Sequence, residues 1–194
     1  MKLLCERIRR DGRVLPGNVL KVDSFVNHQI DVRLFRAMGE EFYRKYCGCG
    51  VNKILTIEAS GIGVACFTAQ FFDVPVVFAK KSRSSNIPDE VFAAPVHSYT
   101  HGNDYNATVA KRFLSPDDRI LIIDDFLANG SAMRGLRSLC EQAGSTVVGA
   151  GIVIEKSFQP GGRELRAEGL RIESLAVIDA MTEDGVVFSP ESLA

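Results

Sequence analysis

ILIIDDFLANGSAM, residues 120–133, condenses the organisation of the chain into one unit. Residues 120–123 are uniformly apolar, which predicts a strand covered on both faces, as in a parallel sheet. Two acids, Asp124 and Asp125, end the apolar run. Ala128-Asn129-Gly130-Ser131-Ala132 follow, small enough for a tight turn, and residues 131–143 read as a helix that Gly144 stops. The stretch therefore predicts strand, turn and helix in succession.

Comparable apolar runs lie at residues 53–57, 74–79, 147–154 and 172–178, with a helix-like segment at 63–72. Residues 31–46 place Phe35, Met38, Phe42 and Tyr46 on one helical face, with Asp31 as a cap and Gly48 and Gly50 as stops. Strands alternating with helices predict an α/β fold on a parallel sheet with right-handed crossovers. The 194 residues suit one domain, with residues 1–30 preceding the first full helix as a small lobe. Residues 81–115 are long, polar and weakly periodic, the mark of a functional loop, with a hairpin as the open alternative.

Bulk properties exclude several classes. A net charge of −1 offers no diffuse attraction to nucleic acid, so any anion must be bound locally. No apolar stretch approaches the roughly 20 residues of a membrane helix. The opening MKLLCERIRRDG lacks an apolar signal core, and a cytoplasmic protein is expected. Five scattered cysteines read as reduced thiols, and neither the Cys47–Cys49 pair nor His28, His97 and His101 has metal-site spacing.

In an open parallel sheet, ligands bind beyond the carboxyl ends of the strands. Four polar groups stand there: Glu58-Ala59-Ser60-Gly61, Lys80-Lys81, Asp124-Asp125 and Glu155-Lys156. The small residues 128–132 sit at the mouth of a helix, where backbone N–H groups and the helix dipole attract an anion. Paired carboxylates repel a phosphate but suit vicinal hydroxyls. Phosphate beside hydroxyls means a sugar phosphate.

Apolar strand, two acids and a small-residue loop together resemble the phosphoribosyl-pyrophosphate signature of type I phosphoribosyltransferases. SFVNHQID, TIEASGI, VVFAKK and GIVIEKSFQPG extend the likeness along nearly the whole chain, and look like the bacterial xanthine phosphoribosyltransferase family. The resemblance implies that fold, with a small hood from residues 1–30 and the C-terminal part, and a mobile loop at about 81–115 with Ser98-Tyr99 nearest the substrate. It implies that Asp124 and Asp125 hold the ribose hydroxyls, and that Ala128, Asn129, Gly130, Ser131 and Ala132 hold the 5-phosphate. Glu58, Ala59, Ser60 and Gly61 would meet the pyrophosphate, which Lys80 or Lys81 would neutralise, Lys81 being assigned to the site. The implied reaction joins a purine nitrogen to the ribosyl anomeric carbon with loss of pyrophosphate. Mg²⁺ is expected as the substrate-chelated ion with no dedicated protein cage, and a homodimer with no membrane or nucleic-acid partner.

The resemblance puts a base-reading lysine at Lys156. An ammonium only donates, so it matches a 6-oxo acceptor and opposes the 6-amino group of adenine. Phe158 could stack on the purine or fill core. The resemblance further places Leu20 and Asn27 at the base, Asn27 donating to a 2-oxo group, and His28 beside it could reach the base. Xanthine is therefore the expected acceptor, giving xanthosine 5′-monophosphate. Ala128 departs from the hypoxanthine-guanine pattern, which has an acid there. The alternatives are a hypoxanthine-guanine or adenine enzyme and a regulator that senses phosphoribosyl pyrophosphate, for whose DNA-binding helices the first 30 residues are too short. Gly61-Ile62-Gly63 lacks the third glycine and the distal acid of a dinucleotide fingerprint.

Overall fold

In the computed structural model, which describes residues 1–82, 90–98, 103–182 and 185–193, the apolar runs join one eight-stranded sheet. The chain opens with α1 (Lys2–Asp11), then β1 (Arg13–Leu15) and β2 (Val19–Lys21), an antiparallel pair. A π-helical turn, Asp23–Asn27, leads to α2 (Val32–Tyr46), β3 (Lys53–Ile57), α3 (Ser60–Phe72) and β4 (Val76–Ser82). Next come β5 (Val91–Ser98), β6 (Asn103–Ala110), β7 (Arg119–Leu127), α4 (Ser131–Ala143) and β8 (Thr146–Lys156). Helix α5 (Gly161–Ala167) and strands β9 (Ile172–Thr182) and β10 (Gly185–Phe188) complete the fold.

The strand order is β10-β9-β8-β7-β3-β4-β6-β5. Strands β9, β8, β7, β3 and β4 run parallel, whereas β10, β6 and β5 add antiparallel edges. Alternation along β3 and β7 sorts their side chains onto two cores. Ile54, Leu121 and Ile123 pack with Phe35, Met38 and Phe42 of α2 on one face. Leu55, Ile57, Ile120 and Ile122 pack with Met133, Leu136 and Leu139 of α4 on the other. Covering both faces is what makes the central strands continuously apolar.

The predicted α2 stripe is fully buried: Phe35, Met38, Phe42 and Tyr46 are all 0% exposed. Burying each such side chain contributes about 2 kcal/mol. The Asp31 side chain accepts from the Leu34 backbone N–H at 3.1 Å and caps the helix. The α/β arrangement predicted from the apolar runs is therefore the observed one.

Three features differ from expectation. The first full helix is α1, not α2; its buried stripe of Leu4, Cys5 and Ile8 is narrow and flanked by charges, which hid its period. Residues 81–115 contain β5 and β6, a hairpin that extends the sheet, where the resemblance implied one mobile loop and the residues themselves left a hairpin open. Its buried positions are partly alanines, Ala94 and Ala107, which give a faint apolar signal. Residues 83–89 and 99–102, including Tyr99 and His101, lie outside the described residues. The third difference is the mixed sheet itself, since its edges are antiparallel. No helix among the described residues is long and apolar enough to cross a membrane.

Candidate active site

The carboxyl ends of the parallel strands meet above a cleft of about 420 Å³. Its walls include Gly17 and Asn18 of the β1–β2 turn, Phe126 of β7, the whole 128–132 turn and Lys156 at the end of β8. His97 and Tyr105 come to the same cleft from the β5–β6 hairpin.

Strand β7 outruns β3, carrying Asp124 and Asp125 within the strand instead of beyond it. Asp124 is 5% exposed, and burial, reinforced by Asp125, raises its pKa well above the usual carboxylate value. Gly61, at the start of α3, approaches Asp124: a Cβ built there would stand 3.5 Å from Asp124 Oδ1. Asp125 points to another neighbour, accepting from Asn27 Nδ2 at 2.6 Å. A residue expected at the base and one expected at the ribose thus share a hydrogen bond.

The turn after β7 has the form its small residues predicted. Gly130 adopts φ +83°, the left-handed region that glycine enters without steric cost. Ser131 opens α4, its backbone N–H donating to Asn129 Oδ1 at 3.0 Å. Ser131 Oγ accepts from the His97 backbone N–H at 2.9 Å, so its own O–H can donate to a ligand. A helix N-terminus, a hydroxyl and small residues beside one cleft can hold an anion.

Glu58 and Lys81 also come together. The Lys81 backbone N–H donates to Glu58 Oε1 at 2.5 Å, and the Lys81 ammonium lies 5.3 Å from the Tyr105 ring centre. Burial, with the charge of Asp124 adding to it, raises the Tyr105 phenol pKa. The Lys81 charge acts on Asp124, opposing the rise of its pKa. Ala59 is exposed and Ser60 half-buried beside it, and the Glu58–Ala59 peptide bond is cis.

Glu155 and Lys156 are neighbours with opposite surroundings. Glu155, 3% exposed, receives both arms of the Arg166 fork at 2.6 and 2.7 Å and a bond from Ser174 Oγ. Burial alone would raise its pKa, but Arg166 and Ser174 outweigh it and hold the carboxylate below its usual value. Lys156 faces the cleft, donates to the Asn18 carbonyl at 2.8 Å and stands 5.7 Å from the Phe126 ring centre. Burial lowers its pKa from the ordinary lysine value.

Of the expected residues, the 128–132 turn and Lys156 reach the cleft wall, whereas Asp124, Asp125, Asn27, Glu58, Ala59, Ser60, Gly61 and Lys81 stand outside its lining. Leu20 is 6% exposed and belongs to the α2-side core, while Gly17, Asn18 and Val19 of the same hairpin line the cleft. Phe158 is 39% exposed, and the lining aromatics are Phe126 and Tyr105. Asn18, Tyr105, Phe126 and Gln159 were missed in the sequence. Only Gly17-Asn18 after Pro16 gave a signal, that of a turn.

Comparison with known proteins agrees with this geometry. The sequence model of the phosphoribosyl transferase domain matches residues 22–169. Xanthine phosphoribosyltransferase of Lachnoclostridium phytofermentans is 57% identical over 188 residues, covering 96% of this chain and 97% of that protein. The Bifidobacterium longum protein of the same name is 53% identical over 185 residues, covering 95% and 96%. Among solved structures, Giardia lamblia APRTase complexed with 9-deazaadenine superposes with a TM-score of 0.74 at 20% identity, covering 88% of this chain and 95% of that one. Adenine phosphoribosyltransferase from Rhodothermus marinus gives 0.72 at 22% identity, covering 89% and 97%. Those structures share the fold; the sequence matches, spanning the cleft from the hairpin to α5, go further, and the chain belongs to the phosphoribosyltransferase family.

Proposed function

We propose that the protein transfers the 5-phosphoribosyl group from phosphoribosyl pyrophosphate to xanthine, giving xanthosine 5′-monophosphate and pyrophosphate in purine salvage. The observation that carries this reading is the shared cleft, where the 128–132 turn and the Lys156 ammonium face one volume of about 420 Å³. Relatives named xanthine phosphoribosyltransferase, alike over nearly the full chain, support the choice of acceptor.

In this reading the 5-phosphate sits on the N–H groups at the start of α4, with the Ser131 hydroxyl donating to it. Asp124 and Asp125 accept from the ribose hydroxyls, Asp125 releasing Asn27 as it does so. Asn27 then donates to the 2-oxo group of the base and Lys156 to the 6-oxo group, with Leu20 supporting that pocket from beneath. The bond from the anomeric carbon to pyrophosphate breaks as the purine nitrogen bond forms, and positive charge grows on the sugar. The acid pair lies beside that charge, while Lys81 and the Glu58–Ala59–Ser60–Gly61 loop attend the departing pyrophosphate. The oxygen-only side chains of Asp124 and Asp125 suit Mg²⁺ arriving chelated by the substrate, where it would offset pyrophosphate charge.

Ala128 leaves the turn without an acid to take the purine proton. Xanthine ionises more readily than the other purines, so it enters as the anion, which the Lys156 ammonium favours. The hood of residues 1–30 and residues around 81–115 would cover the cleft and exclude water, a competing nucleophile. The resemblance further implies a homodimer, and five free cysteines suit the reducing cytoplasm. Incubation with phosphoribosyl pyrophosphate, Mg²⁺ and xanthine, followed by chromatography, should yield xanthosine 5′-monophosphate. Absence of that nucleotide while another purine is converted would refute the acceptor assignment.

A further inference from the structure

Beyond the residues that would touch substrate, two groups outside the cleft wall hold the backbone of the 128–132 turn. Gly161, the first residue of α5, donates its N–H to the Ala128 carbonyl at 3.0 Å. A Cβ built on Gly161 would stand 2.5 Å from Ala128 O, Asn129 C and Gly130 N, so no larger residue fits without moving the turn. From α4, Arg134 Nη1 donates to the Asn129 carbonyl at 3.2 Å. Its Nη2 reaches Glu164 Oε2 at 2.8 Å and Glu168 Oε1 at 3.2 Å, which ties α4 to α5. Helix α5 is itself anchored to β8 by the Arg166 fork on buried Glu155.

A trans peptide holds its C=O and the next N–H pointing in opposite directions. Engaging the Ala128 and Asn129 carbonyls therefore turns the N–H groups of Asn129 and Gly130 away from the clamp. Neither Gly161 nor Arg134 belongs to the cleft lining, so their effect on a ligand passes through the turn. Resting on the reading of that turn as the 5-phosphate site, we propose that Gly161 and Arg134 are positioning residues that aim its N–H groups at the phosphate.

Gly161→Ala and Arg134→Gln test this, the second on a side chain already 38% exposed and therefore tolerant of change. Displacement of the turn by a fraction of an ångström should raise the KM for phosphoribosyl pyrophosphate about tenfold in each variant. The KM for xanthine should change less than about twofold, and Arg134→Lys should restore part of the loss. Titration with ribose 5-phosphate provides a second readout independent of turnover, and should show the same weakening. An unchanged phosphoribosyl-pyrophosphate KM in Arg134→Gln, or both KM values rising together, would overturn the clamp. A wild-type protein that binds ribose 5-phosphate without turning over xanthine would sink the proposed reaction, and the titration would still judge the clamp. No binding of ribose 5-phosphate by the wild type would sink both.

Discussion

At the scale of single residues, burial shifts the ionisation of Asp124 and Lys156, the two groups on which the proposed chemistry leans most. Asp124 has a raised pKa because its carboxylate is desolvated beside Asp125. A raised folded-state pKa means that the native state binds the proton more tightly than the unfolded chain. The ionised form is thus destabilising above the folded pKa, and that cost fades as pH falls toward the unfolded value. Asp124→Asn should raise Tm by about 2–4 °C near pH 7.5, equivalent to about 1 kcal/mol, with the two proteins converging in acid. Turnover in the same variant should fall about 100-fold. A variant less stable at neutral pH, or one of undiminished activity, would remove the assignment. For Lys156, burial lowers the pKa, so its ammonium is lost at a lower pH than an ordinary lysine. Lys156→Met should raise the xanthine KM about tenfold or more while leaving the phosphoribosyl-pyrophosphate KM within about twofold. The wild-type xanthine KM should climb on the alkaline side before the usual lysine range, a limb that Lys156→Met should lack.

At the scale of elements, α2 and the β7–α4 unit were the most legible parts. Both carry strong periodicity, and their turns use residues with one dominant role: Asp31 as a cap, Gly130 in left-handed backbone. The Asp31 carboxylate has a lowered pKa, first because it accepts from the Leu34 N–H and then because of Arg7. Its contribution is present above the unfolded pKa and disappears as pH falls through the folded one. Asp31→Ala should cost about 1 kcal/mol at neutral pH, a loss of about 2–4 °C in Tm, and nothing at acid pH. Catalytic constants should be unaffected, because Asp31 caps α2 and pairs with Arg7 of α1, both away from the cleft lining. Elements that were missed or left open share a physical reason. The β5–β6 hairpin buries alanines, α1 presents a stripe of three buried residues among charges, and α5 is only seven residues long. Each gains its stability from the body it packs on, which local patterning does not record.

For the whole molecule, the parallel strands bring segments distant in sequence to one rim, as the strand-end rule predicted. The proposed donor half, residues 124–132, could be read as one unit because its residues are contiguous. The proposed acceptor half draws on Asn18, Asn27, Phe126 and Lys156, contributed by the N-terminal hairpin, the following turn, β7 and β8, so spacing alone could not reveal it. Lys156 and Asn27 were reached by resemblance, and the contact between Asn27 and Asp125 only by structure. That contact joins the two halves and leads to the central claim, that one cleft takes both phosphoribosyl pyrophosphate and a 6-oxo purine. The most direct measurement is pyrophosphate release with phosphoribosyl pyrophosphate and Mg²⁺, comparing kcat/KM for xanthine, guanine, hypoxanthine and adenine. The account predicts the highest value for xanthine, with adenine at least about 100-fold lower because a buried donor would face a donor. Equal or faster use of adenine, or no release with any of the four, would contradict it.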